Sequence, residues 1–137
     1  MSTISPETAL VYAMVLVSAS DRQMSDTELA RIGSLVRWLP ALRDYDSNRL
    51  IADAESCAEV LDDDDGLEAV LGLMTEAIPP SHGDLVYAVA CDVAAADGQL
   101  NQEELRLLEL LRHRFHVDRL TAAAIERGVA ARRKIFS

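Results

Sequence analysis

The chain has 137 residues, half of them apolar, with 13 Lys plus Arg against 23 Asp plus Glu, two cysteines and a net charge of −10. That is the size of one domain (residues 1–137) with enough apolar content for a packed core, which argues against a disordered chain. No apolar run is long enough to cross a membrane, no secretory signal pattern opens the chain, and a deficit of bases argues against a general nucleic-acid binder.

Helix signals recur along the chain and strand signals are nearly absent. Ser5-Pro6-Glu7 combines a capping hydroxyl, a proline in the first helical position and an early acid, so a first helix is predicted to about Ser20. Ser25-x-x-Glu28 is a capping box opening a second helix, with Leu29, Ile32, Leu35 and Val36 on one side, that stops before Pro40. A turn-rich stretch leads to a third helix over about Ser47 to Leu61, which the run Asp62 to Asp65 interrupts. Asp65-x-x-Glu68 is read as the cap of a fourth helix closed by Pro79-Pro80, and Ser81-x-x-Asp84 as the start of a fifth running to about Ala96. Asn101-x-x-Glu104 caps a sixth helix and Asp118 a seventh. The expected fold is therefore all-α, a bundle of about seven short helices. With only six aromatic residues, Ala, Leu and Val must fill most of its core.

A shift of 76 residues aligns Leu10 with Val86, Ala13 with Val89, Val17 with Val93, Asp21 with Asp97, Glu28 with Glu104, Leu29 with Leu105 and Ile32 with Leu108. Two helix–loop–helix units, at about 5–36 and 81–112, thus share one plan. Two copies are too few for a solenoid, so they are expected to pack about a pseudo-two-fold axis. Charge is also partitioned. Residues 50–105 hold fourteen acids and no Lys or Arg, whereas residues 106–137 hold eight bases and three acids. Such a division suits either a cation site or complementary faces.

The repeated loops read Asp21-x-Gln23-x-Ser25-x-x-Glu28 and Asp97-x-Gln99-x-Asn101-x-x-Glu104. Oxygen donors at alternate positions of a tight turn are how a chain wraps Ca²⁺ or Mg²⁺, although the glycines do not sit where an EF-hand needs them. Capping alone accounts for Ser25, Asn101, Glu28 and Glu104. It does not account for Asp21 and Asp97, because a carboxylate at a helix C-terminus faces the negative end of the dipole and calls for a metal or an arginine as counter-charge.

The string Ala94-Ala95-Ala96-Asp97-Gly98 to Glu104 resembles the AADGxxxxxE signature of the TerB-like tellurite-resistance family, and Ser18-Ala19-Ser20-Asp21 to Glu28 is similar to its first copy. The resemblance extends over nearly the whole chain. It implies a cytoplasmic, non-enzymatic helical domain in a stress or tellurite-resistance system, with a divalent-metal site carried by Asp21, Glu28, Asp97 and Glu104 and with other proteins of that system as partners. All-oxygen ligands favour Ca²⁺, Mg²⁺ or Mn²⁺ over Zn²⁺. Arg22 stands where glycine is usual, and its guanidinium offers Asp21 a counter-charge other than metal, which leaves Asp97 and Glu104 as the firmer pair. The competing reading is a protein-interaction module whose acidic cluster binds a basic partner, or the basic segment of a second copy in a homodimer, without metal.

Other features are given plainer roles. His113 and His116 lie three apart near the end of the sixth helix, a spacing that places two ligands on one face or simply sets two bases at the negative end of the dipole. Cys57 and Cys91 lack CxxC spacing and fit reduced thiols in a helical core. No nucleophile elbow, phosphate loop or zincin motif occurs, so no enzymatic activity is expected.

Overall fold

The computed structural model describes residues 3–19, 26–97 and 100–136. Among them are seven α-helices and no strand: α1 (Pro6–Ser18), α2 (Asp26–Trp38), α3 (Leu50–Leu61), α4 (Gly66–Ala77), α5 (Gly83–Ala94), α6 (Gln102–Arg114) and α7 (Arg119–Arg132). Short 3-10 turns over Pro40–Leu42, Ser47–Arg49, Pro80–His82 and Ala95–Asp97 fill the connections. The expected all-α fold is the observed one.

Every residue of α1 from Thr8 to Ser18 is buried. A helix apolar around its whole circumference is stable only when enclosed, and α1 is surrounded by α2, α3, α4, α5 and α6. Two of its hydroxyls are paired inside: Ser18 Oγ donates to the Met14 carbonyl at 3.0 Å, and Thr8 donates to Asp53. The second interior helix is α5, which buries Val86, Val89, Ala90, Val93 and Ala94 and packs on α1, α2, α6 and α7. Met14, Leu71, Met74 and Leu111 fill the space between the helices, and each such side chain contributes about 1.5–3 kcal/mol by leaving water.

Three of the expected caps form. Ser5 Oγ accepts from the Thr8 amide at 3.1 Å, and Asp118 Oδ1 accepts from that of Thr121 at 2.9 Å. Asn101 and Glu104 complete a reciprocal box, with Asn101 Oδ1 accepting from the Glu104 amide at 2.7 Å and Glu104 Oε1 from the Asn101 amide at 3.2 Å. Ser25 lies outside the described residues.

Two other expected starts are corrected. Asp65 precedes α4 but its carboxylate makes no capping bond, because its backbone (φ −104°, ψ 33°) is not in the extended region that aims a capping side chain at the first turn. The turn from α3 into α4 is too tight for that, and a Cβ on Gly66 would stand 2.4 Å from the Val60 carbonyl oxygen and 2.5 Å from that of Leu61. Ser81 likewise does not cap α5. It lies in the Pro80–His82 turn with its Oγ 2.8 Å from His82 Nδ1, and α5 begins at Gly83, where a Cβ would meet the Phe115 carbonyl at 2.4 Å.

The histidine pair is also not a helical face. His116 adopts a left-handed backbone (φ 56°) just past the end of α6, where the Val117 amide bonds to the Arg112 carbonyl at 2.9 Å and the His116 amide to that of His113 at 3.2 Å. This is the Schellman ending of a helix, with histidine in the place glycine usually takes. His113 remains on α6 and lies 3.4 Å from Glu109.

Candidate metal centre

Helix α2 buries Glu28, Ile32 and Val36, and helix α6 buries Glu104, Leu107, Leu108 and Leu111. Those positions are spaced three and four apart, so in both helices a glutamate occupies the first place of the inward-facing stripe, where helical periodicity would put an aliphatic residue. Glu28 is 3% exposed and Glu104 5%. The neighbours at the next position, Leu29 and Leu105, are 51% and 45% exposed, so the inward place in each helix goes to the acid, which corrects the placing of Leu29 on the side of Ile32, Leu35 and Val36. Other positions paired by the 76-residue shift match as well, with Val17 and Val93 both fully buried and Ile32 and Leu108 both buried.

The remaining two candidates are less fully placed. Asp21, with Arg22 beside it, lies outside the described residues. Asp97 ends the 3-10 turn Ala95–Asp97, while its side chain lies outside the description. That turn follows α5 and is packed by α2, so the helix that carries Glu28 leans on the turn that ends in Asp97. Arg31, one turn beyond Glu28, reinforces the contact through an ion pair of 3.2 Å with Asp92 of α5. From the other side, Arg133 Nη2 donates to the Ala96 carbonyl at 2.7 Å, tying the end of α7 to the residue before Asp97. The turn that ends in Asp97 is therefore packed by α2 and tied to the end of α7.

Chemically, the set consists of carboxylates alone, which fits a hard divalent cation in donor type and charge. Glu28 and Glu104 are both buried, and Glu104 Oε1 accepts from the Asn101 amide at 3.2 Å. Among the described side chains, no group of three or more His, Cys, Asp or Glu is gathered about one point. The Asp21 and Asp97 side chains are not among the described ones.

Two polar clusters carry no signal in the sequence. Asp53 of α3 is buried and accepts from Tyr45 Oη at 2.5 Å and from Thr8 Oγ1 at 3.3 Å, with Arg49 3.7 Å away. Burial first, and then the hydrogen bond to this carboxylate, raise the Tyr45 phenol well above its ordinary range. Tyr87 of α5 donates to Glu126 of α7 at 2.5 Å, and burial followed by that bond raises its phenol too. Apart from Arg49 and Asp53, four apart, nothing in the spacing couples these residues, since the hydrogen-bonded partners are between eight and 45 positions apart and share no period. Both thiols are buried, as the isolated cysteines suggested, and burial pushes each up to about 12. Neither is suited to nucleophilic or metal-binding work, which needs the thiolate.

Among the described residues, no helix is long and apolar enough to cross a membrane. Comparison with known proteins found no match among curated proteins or solved structures. The family model described as tellurite resistance protein TerB matches residues 7–127.

Proposed function

Because the chain belongs to the TerB tellurite-resistance family, we propose that it is a cytoplasmic divalent-cation-binding module of a stress or tellurite-resistance system, acting by binding and not by turnover. Asp21 and Asp97 supply carboxylates from the two loops, and Glu28 and Glu104 supply carboxylates from the starts of the helices that follow. The observation that carries this reading is the placement of Glu28 and Glu104, two acids at equivalent positions of two helices, both inside the apolar stripe. Glu104 holds this buried place while also completing the cap of α6. Oxygen-only donors favour Ca²⁺, Mg²⁺ or Mn²⁺ over Zn²⁺, and the bound ion would clamp both helix–loop–helix units together.

Thermal unfolding after chelation, with each cation added back to the wild-type chain and to Asp97→Asn, tests the proposal. A cation at about 100 times its Kd adds about 2.7 kcal/mol, which raises the midpoint by about 10 °C at this chain length. The variant is expected to lose that gain. Equal responses of wild type and variant to every cation would mean diffuse attraction to the acidic surface and would end this reading.

A further inference from the structure

A groove of about 850 Å³ runs between α1, α3, α4 and α6, with Leu16, Leu61, Leu67, Leu107 and Leu110 along its floor. Its rim carries Asp62 and Glu103 together with one base, Arg106. From Asp62 the acidic edge continues through the exposed Asp63, Asp64 and Asp65. The other unmatched feature lies beyond α7, where Arg133, Lys134, Ile135 and Phe136 are all exposed. Ile135 and Phe136 are among the most exposed large apolar side chains of the described residues. Arg133 is anchored to the Ala96 carbonyl, so the described residues after it, Lys134, Ile135 and Phe136, project from a fixed point and span at most about 10 Å.

Leucines beneath an acidic rim match apolar side chains preceded by bases, in both hydrophobicity and sign of charge. Ile135 and Phe136 stand clear of their own chain. We infer that the groove receives the Arg133–Phe136 segment of a second copy, with Ile135 and Phe136 on the leucine floor and Lys134 facing Asp62 and the aspartates after it. Reciprocal exchange closes a dimer, and one-way insertion builds an open chain. In either case the contact is strengthened at low salt, since its charges lie at an exposed rim. Among the described residues, none of the proposed cation ligands lines the groove, so association is expected to persist in chelator.

Sedimentation equilibrium of the full chain in chelator, over a wide concentration range, provides the test. The wild-type mass is expected to rise with concentration, and Phe136→Ser to weaken association by about tenfold or more. Asp62→Lys weakens it as well, and Lys134→Glu in that background restores it. All of these positions are exposed, so helix content measured by circular dichroism stays constant. A labelled Arg-Arg-Lys-Ile-Phe peptide is expected to bind the Phe136→Ser chain. A wild-type monomer at every concentration that leaves the peptide unbound overturns the inference, as does association indifferent to both Phe136→Ser and Asp62→Lys. A wild-type monomer that takes the peptide only after Phe136→Ser means that the segment fills its own groove, which overturns the second copy as occupant.

Discussion

At Asp53 a single carboxylate holds three separate pieces of the chain: Thr8 at the start of α1, Tyr45 in the connection after α2, and Arg49 just before α3. A buried charge is tolerated only when its oxygens are occupied, and here two hydroxyls and a guanidinium occupy them. Removing one hydroxyl leaves the carboxylate under-satisfied, so Tyr45→Phe is expected to lower stability by about 1–2 kcal/mol in urea unfolding. Asp53→Ala strands both hydroxyls at once and is expected to cost about 2–3 kcal/mol. If both variants unfold at the wild-type midpoint, the cluster is ornamental. None of this was legible beforehand, because hydrophobic period and local motif report neighbours along the chain, and Thr8 and Asp53 are brought together only by the packing of α1 on α3.

At the scale of the helices, local chemistry was legible where the backbone ahead of the helix was free to extend. Asn101 does so (φ −89°, ψ 173°) and forms its box, and Ser5 and Asp118 do likewise. Asp65, with Glu68 three residues on, presents a comparable string and fails, because the α3–α4 turn fixes its backbone first. Asn101→Ala is therefore expected to cost about 1 kcal/mol, and Asp65→Ala to stay within about 0.5 kcal/mol of wild type. Chemical denaturation of the two variants side by side checks this, and equal losses would contradict it. Helical spacing alone misplaces Leu29, since the adjacent Glu28 takes the inward place. That acid is the more informative residue: a glutamate within a buried stripe is legible as a candidate ligand once the period of the stripe is fixed by Ile32 and Val36, or by Leu108 and Leu111.

For the molecule as a whole, stability has an alkaline limit set by its interior thiols. Cys57 and Cys91 are pushed from an ordinary value of 9.0 to about 12 by burial. Between those values the unfolded chain has released protons that the folded chain still holds, so stability is fully present below pH 9 and falls as pH rises toward 12. Each thiol contributes up to about 1.4 kcal/mol per pH unit, and the phenols of Tyr12, Tyr45 and Tyr87, also raised, extend the loss at higher pH. Urea unfolding between pH 9 and 10 is expected to show a clearly shallower decline in a Cys57→Ala, Cys91→Ala chain than in wild type. Identical slopes would place the sensitivity elsewhere. The pattern of charge was legible at this scale too, and the acidic and basic stretches are both displayed on the surface, along Asp62–Asp65 and at Arg133–Lys134.

The enclosure of α1 has a consequence for how the chain is made. Its apolar surface, continuous around the helix, leaves the ribosome before any of its partners, and α5 is complete only 76 residues after α1 ends. At about 5–20 residues per second, translation leaves that surface waiting for about 4–15 s. During this interval the apolar surface is open to non-native contacts, and the later helices complete the fold by closing around a segment made before them.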